Sequence, residues 1–215
     1  MLQRRKSTEV PAKESSSVDY KNLPEGDADG RLALVADLGL QRREHKNVHK
    51  GNFQQLALGI EIVGESFEMD GETKPVMLWT KPFYVYDTLT EKGNELAYAL
   101  AFDPTSKEGQ QFDWDAVLGK PCNVVIEHTP DKTNPEKKYD NIARLGAIPA
   151  KYQDAVPEMR MTPATGDGAD VTSHFYGLVD YVYKQKLYHE EAAADHATTI
   201  QHPALSDDFD DDIPF

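Results

Sequence analysis

The sequence predicts a mainly β protein whose central body is a small antiparallel barrel of five strands, with one helix between the third and fourth. Three observations carry this expectation. Apolar residues between positions 30 and 148 mostly alternate with a period of two, the period becomes helical in one stretch of that body, and Gly, Pro and Asp turn signals separate the stretches. At roughly 150 residues per domain, 215 residues allow one domain with tails or two small domains. Hydrophobic residues make up 39% and charged residues 28%, so part of the chain is expected to stay solvated.

Residues 1–29 are rich in Ser, Pro and charge and lack a sustained apolar period, which predicts a disordered arm. The first strand is read from Leu32, Leu34, Ala36, Leu38 and Leu40, a period of two that Val35 blurs. The second follows from Leu56, Leu58, Ile60 and Ile62, and ends before the Asp70-Gly71 turn. The third, VMLWTKPFYVYDT, contains Pro82, which cannot donate to a ladder and so predicts an edge strand or one broken by a bulge.

Leu96, Ala97, Leu100 and Ala101 then recur at helical spacing. After Gly119-Lys120-Pro121, the alternation of Cys122, Val124 and Ile126 gives a fourth strand, and YDNIARLGAI a fifth. Three strands, a helix and two strands is the element order of the OB-fold, expected over residues 30–155. Residues 156–190 read as a connection and a helix packed on the barrel or on a second subunit. Phe175, Leu178, Val179 and Val182 suit that helix, whereas Phe175, Val179, Tyr181 and Tyr183 would suit a strand. Residues 191–215 read as a disordered acidic tail.

Charge is unevenly placed. The formal net charge is −14, and the last 27 residues hold eight acidic groups and no basic one. Within the nearly balanced body, QRREHKNVHK gathers Arg42, Arg43, Lys46 and Lys50 in what reads as a loop between the first two strands. The N-terminus lacks the apolar run of a signal peptide, and no apolar stretch reaches the roughly 18 residues of a membrane span, so a soluble intracellular protein is expected.

An enzyme is not expected. The sequence has no G-x-x-x-x-G-K-[ST] loop, no H-E-x-x-H, no G-x-S-x-G and no calcium-loop acid pattern, and nothing proposes a cofactor. His45 and His49 are four apart but lie among cations without a further ligand, so no metal is expected. Cys122, the one cysteine, reads as a small buried hydrophobe.

A polyanion explains the basic segment better. In an OB-fold the loops between strands one and two and between strands four and five flank the groove that crosses strands two and three. The second of these loops holds Lys132, Lys137 and Lys138, and Arg144 follows on the fifth strand. Between the two loops fall Phe53, Trp79, Lys81, Phe83, Tyr84, Tyr86 and Tyr139. Cations tracking a backbone while aromatic rings stack bases is the chemistry of sequence-tolerant single-strand binding, at roughly 1–3 kcal/mol per stack. Alternation sends about half of these aromatics into the core. A backbone-tracking surface need not distinguish strands, so duplex DNA stays open as a ligand.

The chain ends SDDFDDDIPF. An aromatic residue carrying the terminal carboxylate can insert its ring into a pocket while an Arg or Lys of a partner takes the carboxylate, and Pro214 lowers the entropy lost on ordering. DDDIPF, meaning Asp210, Asp211, Asp212, Ile213, Pro214 and Phe215, resembles the C-terminal tip of bacterial single-stranded DNA-binding proteins, with Asp207, Asp208 and Phe209 as weaker support. That resemblance implies a tip that recruits replication, recombination and repair proteins.

The body departs from the bacterial pattern in starting about thirty residues late and in lacking the long Gly/Gln/Pro-rich linker, so bacterial tetramer and DNA-wrapping residues do not carry over. Roughly residues 30–148 are similar instead to bacteriophage-encoded single-stranded DNA-binding proteins, in GRLALVADLGLQ, KPFYVYDTLTEKGNEL, LGKPCNVVIEH and KKYDNIARL. The resemblance implies a phage protein that coats single-stranded DNA in the host cytoplasm, with a homo-oligomer left open. The rival expectation is a decoy that uses the tip to capture host partners without binding DNA. A weaker one is an accessory subunit of a nuclease or recombinase whose barrel binds protein.

Overall fold

The computed structural model describes residues 21–46, 48–69, 71–91 and 93–167. Most of the expected N-terminal arm, the helix or strand expected around residues 175–183, and the acidic tail with its tip lie outside the described residues.

Strands β1 (Gly26–His45), β2 (Val48–Met69), β3 (Glu72–Trp79) and β4 (Phe83–Tyr84) precede helix α1 (Asn94–Phe102). Strands β5 (Pro121–Pro130) and β6 (Lys138–Gly146), helix α2 (Ala150–Gln153) and strand β7 (Ala164–Asp167) follow it. The long strands lie in the order β3-β2-β1-β5-β6, each antiparallel to its neighbours, and the sheet curls until β3 and β6 approach each other. This half-barrel, with α1 between the third and fourth long strands, is the expected OB-fold arrangement.

Alternation builds the barrel interior. Leu56, Leu58, Ile60 and Ile62 of β2 meet Cys122, Val124 and Ile126 of β5 in one core. Burial pushes the Cys122 thiol up to about 12, so the thiolate is disfavoured there. The first strand alternates less simply than its sequence suggests. A bulge between Leu32 and Leu34 shifts the register, so Leu32 and Val35 enter the main core while Leu34 turns to the opposite face with Ala33 and Met77. The blurring by Val35 is the trace of that bulge.

Of the two expectations for Pro82 the edge strand holds, and in place of a bulge the strand is interrupted. β3 stops at Trp79, and the chain returns to β2 as the two-residue β4, with Leu56 opposite Phe83 and Gln55 opposite Tyr84. The helix also forms, with a different inner face. Glu95, Leu96, Ala99, Ala101 and Phe102 are buried, whereas Ala97 and Leu100 are exposed. Phe102 decides the rotation, because its ring packs edge-on to Trp114 with centroids 6.4 Å apart, and Trp114 in turn meets Phe83 at 5.6 Å and Phe112 at 4.7 Å.

Three boundaries need correction. The ordered body starts before residue 30, since β1 pairs with β5 from Gly26 opposite Ile126, and Asp140 accepts hydrogen bonds from Asn22 Nδ2 (2.7 Å) and Leu23 N (2.9 Å). A backbone ladder needs no apolar side chains, so the acidic segment gave little sign of it. The basic segment is not a loop but the end of a long β1–β2 hairpin, paired from Leu40–Gln54 to His45–Val48 around a tight turn with Lys46 at φ 50°. Finally, residues 164–167 of the expected connection form β7, parallel to β1 with Leu34 opposite Ala164 and Asp37 opposite Asp167.

The segment from Val156 to β7 lies as a strap on the outward face of β1, β2 and β3. Met159, Met161 and Ala164 pack with Trp79 against Ala33, Leu34 and Met77. Gly59 permits this layer: a Cβ there would fall 2.9 Å from Met77 Sδ and 3.1 Å from Leu34 Cβ.

Candidate nucleic-acid interface

Along β2, the residues between the core positions share the outward face: Phe53, Gln55, Ala57, Gly59 and Glu61. At the hairpin end of this face the structure brings four predicted residues together. Phe53 lies 5.8 Å from Tyr84 and 5.6 Å from Tyr86 between ring centroids. The Arg43 guanidinium carbon is 5.5 Å from the Tyr84 centroid and 5.9 Å from that of Phe53, and Nη1 donates to the Tyr86 hydroxyl at 2.8 Å.

All three rings are partly exposed. Burial raises the Tyr84 phenol above its ordinary range, against the lowering influence of Arg43 and of a side-chain hydrogen bond with Gln55, so the phenol is neutral at physiological pH. A cation fixed on a cluster of half-exposed rings can stack a base and meet its phosphate in one place.

Each part of the cluster has a local cause. The antiparallel hairpin sets Gln41 opposite Phe53 and Arg43 opposite Gly51. The Pro82 break swings β4 onto β2, which places Tyr84 beside Gln55. Buried Glu95, on the first turn of α1, accepts the Tyr86 backbone N–H at 3.2 Å and so ties the segment after β4 to the helix. Lys46 and Lys50 are exposed further along the same hairpin, and Arg42 stands opposite Asn52 in its ladder.

The remaining predicted residues fall elsewhere. Phe83 is 3% exposed and belongs to the core, with its ring 5.1 Å from Tyr98, so it has no nucleic-acid face. Its neighbour Tyr84 takes the outward position because adjacent strand residues point to opposite faces. Trp79 is outward-facing but packed beneath the strap. Lys81 is exposed in the short connection between β3 and β4.

Lys132, Lys137, Lys138, Tyr139 and Arg144 are exposed on the β5–β6 turn and on β6. There the Lys137 ammonium lies 5.0 Å from the Tyr139 ring centroid, and the Tyr139 hydroxyl donates to Asp131 Oδ2 at 2.6 Å. The expected groove bordered by two basic loops is therefore two patches with a covered stretch between them.

The residues that cover that stretch were not singled out from the sequence. Arg31 donates to the carbonyls of Val156 (2.9 Å), Pro157 (2.8 Å) and Gly119 (2.8 Å). Glu61 accepts from the backbone N–H groups of Arg160 (2.8 and 3.1 Å) and Met161 (2.8 Å). A signal for Glu61 existed, because a carboxylate inside the apolar run LALGIEIVG must find partners if it is buried.

Among the described residues no group of three or more His, Cys, Asp or Glu could hold a metal ion, and no helix is long and apolar enough to cross a membrane. Comparison with protein-family models and with curated proteins gives no match, so the geometry and chemistry of this surface stand as its own description.

Proposed function

We propose that this chain is a non-enzymatic single-stranded DNA-binding protein, encoded by a bacteriophage and acting in the host cytoplasm. It coats and protects single strands without sequence preference during replication, recombination or repair. Its acidic C-terminal tip recruits replication and repair proteins of the host or the phage.

The observation that carries this reading is the cluster of Arg43 with Phe53, Tyr84 and Tyr86 at the base of a basic hairpin. A purely structural aromatic cluster would sit inside the barrel, as Phe83, Phe102 and Trp114 do. This one is partly open to solvent and carries a cation. The resemblance of the last six residues to the bacterial tip supports the recruiting half of the proposal.

The test is a titration of labelled single- and double-stranded oligonucleotides at two salt concentrations, using the full chain and the chain lacking residues 206–215. Single-strand binding that weakens as salt rises is the expected result. Absence of salt-sensitive binding by either protein would put the decoy reading in front.

A further inference from the structure

Two patches at which a cation lies against a partly exposed aromatic ring sit toward opposite ends of β1. β5 pairs with the first residues of that strand, Gly26 opposite Ile126, so the β5–β6 turn with Tyr139 lies beyond its start. Phe53 faces Gln41, fifteen residues further on. At about 3.3 Å per residue this is a strand contour of about 50 Å, shortened by the curl of the barrel.

Between the two patches, in register order, come the Arg31–Glu61 pair and the Leu34–Asp37 stretch, and the strap is attached at both. DNA lifting the strap would have to strip Glu61 of the two backbone N–H groups it holds and would then meet its bare carboxylate, which repels phosphate. The closed stretch is thus unsuited to a nucleic-acid strand.

The distal patch is built rather than incidental. Asp131 Oδ1 accepts from Thr133 N (2.7 Å), Thr133 Oγ1 (2.6 Å) and Asn134 N (2.9 Å), which folds the turn, while its Oδ2 holds the Tyr139 hydroxyl. The Tyr139 ring stays 44% exposed with Lys137 against it. Lys132 and Lys138 add positive charge around it, balanced along the turn by Asp131, Glu136 and Asp140, so the ring and not net charge is what the turn offers a strand.

We infer that the β5–β6 turn is a second, separate contact for single-stranded DNA, with Tyr139 as its stacking ring, and that one strand occupies both contacts only when long enough to pass around the strap. This inference rests on the proposed single-strand binding and adds its layout: two short footholds in place of one groove.

Calorimetric titration of the full chain with an oligonucleotide of about four nucleotides and one of about thirty separates the possibilities. The expected result is two short oligonucleotides bound per chain and one long one bound across both contacts. Tyr139→Ala should bind a single short oligonucleotide and should bind the long strand about tenfold more weakly. Tyr139→Phe keeps the ring and should restore the second short oligonucleotide. Phe53→Ala should likewise leave one short oligonucleotide bound, now at the turn.

A wild-type chain that binds only one short oligonucleotide, or a Tyr139→Ala chain indistinguishable from wild type with both lengths, overturns the two-contact layout and leaves single-strand binding standing. A wild-type chain that binds neither oligonucleotide overturns single-strand binding itself and the layout with it.

Discussion

Arg31 and Glu61 face each other across the β1–β2 ladder, and each spends its charge on the backbone of the same strap. Arg31 gathers carbonyls of Val156 and Pro157, and Glu61 gathers N–H groups of Arg160 and Met161. Both side chains are buried, at 9% and 1% exposure, so the bonds satisfy charges that water does not reach. The pair thereby converts an irregular segment into a fixed cover over Trp79 and Met77, and it decides which part of the outward face is open.

Glu61→Ala should therefore cost about 2–3 kcal/mol, because it strands the part-buried backbone N–H groups of Arg160 and Met161. Glu61→Gln retains one acceptor and should lose less. Urea unfolding measures the difference, and trypsin cleavage after Arg160 reports the strap directly. Cleavage of Glu61→Ala no faster than of wild type would show that the strap is held by its methionines alone.

Phe53 and Phe83 make a matched pair of tests, since the first lies on the outward face with Tyr84 and Tyr86 and the second in the core with Tyr98 and Trp114. Phe53→Ala should weaken single-strand binding by about 1–3 kcal/mol, roughly five- to 150-fold, with a small effect on stability. Phe83→Ala empties a core position and should cost about 3–5 kcal/mol of stability. Its affinity for DNA, measured where the protein remains folded, should stay near wild type. Arg43→Gln should lower affinity and reduce the slope of log affinity against log salt by about one. The reverse pattern for the two phenylalanines would mean that the outward cluster is not the contact.

The parts of this architecture that were legible in the sequence are those where a single apolar face dictates the period. β2 and β5 read correctly because Leu56 to Ile62 and Cys122 to Ile126 each line one core face without interruption. β1 read less well because a one-residue bulge after Leu32 exchanges the faces, and a residue type cannot report that slip. The hairpin is hidden by its own charge: QRREHKNVHK carries no apolar period, so the sequence reads there as a loop. The strap was hidden for a different reason. It is held through backbone groups and through Arg31 and Glu61, whose partners lie about a hundred residues away.

Asp131 and Glu95 should give pH dependences of opposite sign. Hydrogen bonds from Thr133 and Tyr139 hold the Asp131 carboxyl well below the ordinary aspartate range. Its contribution is present above the unfolded value and is lost as pH falls below that value toward the folded one. Burial raises Glu95 above the ordinary glutamate range, opposed by the Tyr86 N–H and the Trp114 side chain. Its protonated form is favoured in the fold, so its contribution is present at low pH and is lost as pH rises through the raised value. Glu95→Gln, which keeps an acceptor for Tyr86, should be more stable than wild type at neutral pH and indistinguishable from it in acid. Asp131→Asn should be less stable at neutral pH, with the gap closing in acid. Thermal melts across the acid range decide both, and parallel curves for wild type and either variant would contradict the assigned partners.

The direction of β7 suggests a test of the acidic tail. β7 runs parallel to β1 and ends with Asp167 opposite Asp37, so the strand itself points along β1 toward the hairpin that carries Arg42, Arg43, Lys46 and Lys50. Five aspartates among the last ten residues carry the charge to compete with DNA phosphates for those cations, and that competition is the proposal to test. Deleting residues 206–215 should raise single-strand affinity at low ionic strength. The gain should shrink as salt is added, because screening over about 10 Å at 0.1 M weakens the competing contacts. Fluorescence anisotropy of a labelled oligonucleotide with the full and shortened chains measures this. Equal affinities at low salt would assign the tail to partner recruitment alone, with no influence on the DNA-binding surface.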